Sequence, residues 1–291
     1  MSGAWRVVRP VTVDEAVEAL AAADPTARPH AGGTDLMVQI KEGRRAACTL
    51  VDLSRIPELR RLDWHDGALI IGSAMPMADI AAAPDVADAY PGLIDAIRVV
   101  GSVQIRNRAS LGGNIANASP AADTVPVLVA LDAIAHLAGT DGRRTVPVAS
   151  LFTGPGRTVL APDEIITAVE IATAPRTSSA YLRLTRRASV DLALISVAVV
   201  LADSASPRVA FGAAGPTIER SAAVEAALAE EWPHPIDDDS LGHAARVATE
   251  SVRPITDLRA GERYRRAMAG VLLKRAVRSA AARADRARRR R

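Results

Sequence analysis

Two glycine pairs, Gly32-Gly33 and Gly112-Gly113, are each followed at once by a small polar residue, Thr34 and Asn114. Glycine reaches positive φ without steric cost, so consecutive amides in such a pair can converge on an anion with no Cβ atom in the way. The chemistry on offer is phosphate binding. Gly32-Gly33 also leads into a helical pattern whose cap would be Thr34 or Asp35, and a helix N-terminus adds partial positive charge to those amides. Two such turns together suit a pyrophosphate. Each taken alone reads more readily as a tight turn or a close approach of two backbones; only the two together bring phosphate binding level with that reading.

Other chemistries lack their residues. No GxGxxG opens a βαβ unit and no GxxxxGK[ST] exists, which argues against a nicotinamide Rossmann domain and a P-loop. The GxSxG elbow of an acyl-transfer enzyme is missing too. Cys48 is the only cysteine, so the chain forms no internal disulfide and no cysteine-ligated iron–sulfur cluster or structural zinc of its own. The five histidines, at 30, 65, 136, 234 and 243, show no metal-ligand spacing, and no metal is expected. No residue emerges by motif as a general acid or base.

The elements that must hold the glycine turns come from 291 residues, enough for two domains with large cores. The chain is 49% hydrophobic but only 3% aromatic, with mean hydropathy +0.11, an Ala/Val/Leu-rich globular composition rather than a disordered one. The longest apolar run, Leu192 to Ala202, is broken by Ser196 and too short to span a bilayer. The N-terminus shows no secretory signal, and a cytoplasmic protein is expected. The formal net charge of +3 hides an asymmetry: residues 274–291 hold nine of the 36 basic residues and one of the 33 acidic ones, leaving a balance of −5 elsewhere. An arginine-rich end of this kind could touch nucleic acid or an acidic partner, but no aromatic residue interleaves with it, and a solvated tail is expected.

Thr12-Val-Asp-Glu15 is a capping box opening a helix that ends near Asp24-Pro25. A short helix through Ile40 stopped by Gly43, and a strand from Thr49 to Leu53, complete an α/β opening. Ala68–Gly72 reads as a strand, Met75–Ala83 and the stretch from Pro91 to Gly101 as helices, and Pro126–Leu131 as a further helical turn or two. Strands are expected around Ile134–Leu137 and Thr145–Val148. Glycine and proline recur between Leu151 and Pro162, and a second zone, Ala172 to Ser179, which carries Pro175 and little hydrophobic order, marks a domain boundary. Beyond it, strands at Tyr181–Thr185, Ala193–Leu201 and Arg208–Gly212 precede helices at Ser221–Ala229, Leu241–Glu250 and Gly261–Ala282, the order of an α+β domain.

Three runs carry a resemblance: HAGGTDLM (30–37), IRNRASLGGNIANASPAADTVPVLVALDA (105–133) and LRAGERYRRAMAGVLLKRA (258–276). With them the chain resembles the FAD-binding medium subunit of the molybdenum hydroxylases, the xanthine dehydrogenase and carbon monoxide dehydrogenase family. The resemblance covers nearly the whole chain, and the second run is the most specific. It implies an α+β protein: a vanillyl-alcohol-oxidase-type (PCMH-type) FAD-binding domain over residues 1–175, built of two α/β subdomains (about 1–56 and 57–175). A smaller C-terminal α+β domain (176–282) and an arginine-rich tail (283–291) would follow.

The same resemblance implies one FAD per chain. Pro29, His30, Ala31, Gly32, Gly33, Thr34, Asp35 and Leu36 would wrap its pyrophosphate. Ser110, Leu111, Gly112, Gly113 and Asn114 would approach it from the other subdomain. Ile105, Asn117, Ser119 and Asp123 lie in the same motif, Asn117 and Asp123 binding ribose or adenine-side groups. DEIITAVEI (163–171) resembles a segment laid beside the flavin, with Ile166 the contact. In YLRLTRR (181–187) Arg183 stands where the family often has a lysine near the ring, a planar guanidinium in place of a compact ammonium. Val100 or Gly101 stands where some relatives place an aromatic over the flavin. The implied partners are a large molybdopterin subunit and a small [2Fe-2S] subunit in an (αβγ)2 assembly, with this chain as the electron outlet to NAD, oxygen, a quinone or another acceptor. A stand-alone FAD oxidoreductase of the same fold is the alternative.

Overall fold

The computed structural model describes residues 5–23, 26–46, 48–173, 177–187, 190–203, 205–230, 232 and 237–289. The chain begins with β1 (Arg6–Val8), α1 (Val13–Ala22), β2 (Arg28–His30), α2 (Leu36–Lys41) and β3 (Thr49–Asp52), and its three strands form a parallel sheet in the order β1-β3-β2. Helix α1 starts where the capping box predicts: Thr12 Oγ1 accepts the Glu15 amide at 3.1 Å. Glu15 reaches back one residue further than the motif requires, accepting the Val11 amide at 2.7 Å. The buried face of α1, Val13, Ala16, Val17 and Leu20, packs on Val51, Leu53, Ile56 and Leu59.

Next come β4 (Leu62–His65), β5 (Ala68–Gly72), α3 (Met77–Ala82), α4 (Pro84–Ala89), α5 (Pro91–Val99), α6 (Val103–Arg106), α7 (Leu111–Ala116) and α8 (Thr124–Ala130). They are followed by β6 (Ile134–Gly139), β7 (Gly142–Pro147), β8 (Phe152–Gly154), β9 (Arg157–Thr158) and β10 (Ile165–Ala172). An antiparallel sheet runs β4-β5-β10-β6-β7. The segment expected only to brush a ligand, Ile165–Ala172, is thus the central strand of this sheet. Leu69, Ile71 and Val169 pack with the helices, burying Leu93, Ile97, Leu111, Ile115 and Leu128, while Ala138 and Ile165 join the core of the first subdomain.

The last third holds β11 (Thr177–Leu184), β12 (Ile195–Ala202), β13 (Ala205–Gly212), β14 (Glu219–Arg220), α9 (Ala222–Ala229), α10 (Asp238–Ser251) and α11 (Glu262–Arg289), with an antiparallel sheet in strand order. All eight residues of β12 are buried. Ile195, Val197, Val199 and Leu201 meet Leu241, Leu272, Leu273 and Val277 of the helices, whereas Ala198 and Val200 belong to the core beneath α5 and α8. A strand buried on both faces reads as an unbroken apolar run, which is how this one reads. The architecture is the α+β arrangement expected, with two α/β subdomains and a smaller α+β unit.

Several short elements (β1, β2, β4, β8, β9, α4 and α6) give no periodic signal in the sequence. The arginine-rich end departs from expectation more substantially, because α11 runs unbroken to Arg289. Arg283 grips Asp95 of α5 through Nη1 and Nη2 (2.6 and 2.9 Å) and donates to the Ser179 carbonyl at 2.8 Å, and Arg288 pairs with Asp203. Up to Arg289 this segment is a helix docked through Arg283 and Arg288, with residues 285, 286, 288 and 289 exposed, rather than an unstructured tail; residues 290 and 291 lie outside the described residues. Among the described residues no helix is long and apolar enough to cross a membrane.

Candidate functional site

The two glycine pairs lie in segments 80 positions apart that meet in space, because Gly32 packs on the backbone of Arg108 and Ala109, immediately before Ser110. A hydrogen bond from Asn117 Nδ2 to Asp35 Oδ1, 3.3 Å long, ties the same segments together again. Between them opens a cleft of about 690 Å³, within the usual range for an organic ligand. His30, Ala31, Gly32, Gly33, Thr34, Asp35 and Leu36 form one wall. Ile105, Ser110, Gly113, Asn114, Asn117, Ser119 and Asp123 form the other, with Val100 and Gly101 beside them.

The four glycines do different things. Gly33 has φ +72°, so the turn requires glycine there, and the amides of Gly32, Gly33 and Thr34 make no hydrogen bond among the described residues. His30 Nδ1 is buried beside this turn and likewise has no partner. Helix α2 is only six residues long and Asp35 does not cap it with its side chain. The turn's open amides, rather than a helix dipole, therefore carry the anion-binding capacity.

The second pair corrects the expectation of free amides. Gly112 donates to the Ser73 carbonyl (3.0 Å), Gly113 to Ser110 Oγ (3.2 Å) and Asn114 to the Ser110 carbonyl (3.1 Å). Ser110 caps a short helix that the glycines themselves would disfavour. Gly112 is a packing glycine: a Cβ there would lie 2.5 Å from Ser73 Cβ. Leu111 and Gly112 are buried away from the cleft, and only Gly113 and Asn114 of the pair and its follower reach it. Asn114 Oδ1 accepts from Thr124 Oγ1 at 2.8 Å, and Ser119 Oγ from the Ala121 amide at 3.3 Å, so both side chains are held in place.

Three more expected contacts lie off the cleft. Pro29 sits within β2, and Ile166 is 5% exposed in the core of the five-stranded sheet. Arg183 does not line the cleft; its Nη1 donates to Asp123 Oδ2 at 2.7 Å, both side chains being buried. Asp123 Oδ1 accepts the Tyr181 hydroxyl at 2.6 Å. Burial raises the Asp123 carboxyl above its ordinary value, opposed by the Arg183 charge and by hydrogen bonds from Tyr181 and Arg183. The Tyr181 hydroxyl is pushed well up by burial and by the neighbouring carboxylate. Asp35, exposed by area yet hemmed in by the turn, is also raised by desolvation, a side-chain bond from Thr34 opposing.

Sequence reasoning missed the third side of the cleft. Arg187, Val190, Asp191 and Leu192, on the loop between β11 and β12, line it together with Val38, Gln39 and Arg44 after the glycine turn. The loop folds around Asp191, whose Oδ2 accepts the amides of Arg186 and Arg187 (both 3.1 Å) and whose Oδ1 accepts that of Leu192 (3.0 Å). Val190 holds φ +48°, a strained value for a β-branched residue. Its far end is pinned by Arg265, 2% exposed, which donates to the Leu194 carbonyl (2.8 Å) and to Asp257 Oδ1 (2.6 Å). The polar run TRRASVD between two apolar strands was the available signal. Among the described residues no group of three or more His, Cys, Asp or Glu side chains could hold a metal ion.

Comparison with known proteins gives the family and the fold. Residues 3–174 match the family described as the FAD binding domain in molybdopterin dehydrogenase, and residues 179–280 the CO dehydrogenase flavoprotein C-terminal domain. The chain is 32% identical over 279 residues to the carbon monoxide dehydrogenase medium chain of Hydrogenophaga pseudoflava, covering 94% of this chain and 96% of that one. It is 32% identical over 284 residues to the nicotine 6-hydroxylase medium subunit of Paenarthrobacter nicotinovorans, covering 96% and 98%. The solved carbon monoxide dehydrogenase from Hydrogenophaga pseudoflava that lacks the Mo-pyranopterin moiety superposes with a TM-score of 0.90 at 32% identity, over 97% of this chain and 99% of that one. Quinoline 2-oxidoreductase from Pseudomonas putida 86 gives 0.90 at 27% identity, over 98% and 99%.

Proposed function

The chain belongs to the FAD-binding medium subunits of the xanthine and carbon monoxide dehydrogenase family, and from that premise we propose that it is the electron outlet of a heteromeric molybdenum hydroxylase. It takes electrons from a [2Fe-2S] subunit, itself fed by a large molybdopterin subunit, and passes them through FAD to an external acceptor. The assembly proposed is (αβγ)2 with one FAD per chain. The observation that carries the reading is the meeting of two glycine segments over one cleft, at a turn whose amides and buried histidine nitrogen stand open.

Those residues fit the dinucleotide. Gly33 supplies the positive-φ turn, and a side chain at Gly32 would fill the contact that closes the cleft. The amides of Gly32, Gly33 and Thr34 are donors suited to a pyrophosphate. Ser110, Gly113 and Asn114 form the facing wall, Asn117 holds Asp35 across it, and Asp123 offers a carboxylate to a sugar hydroxyl. The loop pinned by Asp191 and Arg265 closes the third side. Bound FAD supplies the exchange between one-electron and two-electron redox partners. The chain's own work is to bind, orient and shield it.

The visible absorption spectrum of the purified chain, with chromatography of what heat releases, tests this. A flavin spectrum, release of FAD and co-purification of two further polypeptides are expected. A colourless preparation that takes up no added FAD overturns the reading.

A further inference from the structure

Strand β11 presents two faces to two different neighbours. Ser178, Ala180 and Leu182 look toward the C-terminal helices, Ser178 Oγ donating to the Ala280 carbonyl at 2.9 Å. Ser179, Tyr181 and Arg183 look the other way: Ser179 Oγ accepts the Gly92 amide at 2.9 Å, and the other two converge on Asp123. Tyr181 is 3% exposed and does not line the cleft, whereas Asp123 does. Its backbone amide donates to Asp95 Oδ2 at 3.3 Å, and Asp95 is the carboxylate gripped by Arg283. The tyrosine is thus anchored through its main chain from α5 and α11 and spends its one polar side-chain atom on a residue of the cleft wall.

That bond decides what Asp123 can do. Each carboxylate oxygen accepts more than one hydrogen bond, so a donor on each oxygen leaves acceptor capacity toward the cleft. With Tyr181 and Arg183 both donating, the carboxylate has no proton to give and no freedom to turn. Burial works against this state by favouring the protonated acid. The other ionisable groups around the wall are His30 and Asp35 on the glycine turn, Arg44 beyond it, Arg187 and Asp191 on the β11–β12 loop, and Asp95 with Arg283 behind Tyr181.

We infer that Tyr181, which touches no ligand itself, is a positioning residue of the flavin site: it holds the Asp123 carboxylate in one orientation, as an acceptor only, toward a hydroxyl group of the bound dinucleotide. The inference rests on the assignment of this cleft to FAD.

The test titrates the full chain, in the complex in which it is produced, with FAD at a series of pH values from neutral into acid, since burial moves the Asp123 carboxyl up. Wild type, Y181F, D123N and the double variant are compared by flavin fluorescence, which needs no turnover. Wild-type affinity is expected to fall on the acid side as Asp123 takes up a proton. Y181F keeps the ring and loses the donor; it is expected to bind about tenfold more weakly near neutrality, the factor for a hydrogen bond to a charged acceptor. Its acid-side fall should move to higher pH. D123N should abolish the fall, and adding Y181F to D123N should change nothing more. A Y181F profile that coincides with wild type, or effects of the two substitutions that simply add, overturns the role of Tyr181. So does an acid-side fall that survives in D123N, a result independent of how Y181F folds. Wild type that takes up no FAD at any pH removes the flavin assignment itself, and a binding wild type separates that failure from the other.

Discussion

A Cβ placed on Gly32 would stand 1.9 Å from the carbonyl oxygen of Arg108. No side chain exists that far inside a neighbour's van der Waals surface, so the first glycine turn and the segment leading to Ser110 are held together by the lack of one. Gly32→Ala must push them apart. Overpacking of this kind costs about 1–3 kcal/mol, and FAD affinity is expected to drop at least about tenfold with it. Gly43→Ala is the control: Gly43 has positive φ, +70°, where Gly32 does not, and nothing lies within 4 Å of it. It should cost about 1 kcal/mol of stability and leave flavin content unchanged. Fluorescence titration and thermal midpoints read both; equal flavin loss in the two would contradict the contact.

Asn117 and Asp35 give a second, pH-dependent test. Asn117→Asp replaces a donor 3.3 Å from the Asp35 carboxylate with a second carboxylate, beside a turn built for an anion. Asp35 is already raised by desolvation, and a like charge raises it further. Relative to wild type at the same pH, FAD affinity should fall most where both carboxylates are ionised and recover toward acid as the pair takes up a proton. Asn117→Ala should lose a smaller amount, evenly across the same pH values. A loss in Asn117→Asp that ignores pH would refute the juxtaposition.

Asp257 should contribute to acid sensitivity. Burial alone would lift its carboxyl, but the amides of Arg259 and Ala260 and the guanidinium groups of Arg265 and Arg259 hold it far below the ordinary range. A depressed folded pKa means stability that is complete above the unfolded value, about 4, and is lost as pH falls below it. Asp257→Asn should therefore lower the urea midpoint most at neutral pH, and the gap to wild type should close below about pH 4. A gap that persists undiminished into acid would show that the charge of Asp257 is not what matters.

Arg283→Met removes the two-pronged grip on Asp95 and strands a carboxylate that is mostly buried. The expected cost is about 1–3 kcal/mol, seen as a lower urea midpoint with an unchanged slope. A stability equal to wild type would mean that the arginine is carried by solvent after all.

Much of the framework was legible because it is local. The Thr12–Glu15 cap, the strand Ala68–Gly72 and the helix closed by Gly101 each follow from a few neighbouring residues, and all three are present. What stayed hidden is held by distant partners. Helix α7 forms across two glycines because Ser110 caps it and Gly112 fits under Ser73. The pairing of Asp123 with Arg183 spans 60 positions and leaves no periodic trace. Arginines that composition assigns to solvent find Asp95 and Asp203, one on another element and one in a hairpin turn. The glycine pairs looked alike in sequence, yet one presents its amides and the other spends them; only the three-dimensional surroundings separate the two.

Strand β12, walled in on both sides, has a consequence for how the molecule comes apart. Neither half owns that strand: peeling the C-terminal helices from it uncovers one row of aliphatic side chains, and withdrawing α5 and α8 uncovers the other. The two halves are therefore yoked, and heating should melt them in a single cooperative step rather than in succession. A fragment cut between Ala172 and Thr177 would leave each product with a raw greasy face, prone to clump before it could ever hold a cofactor.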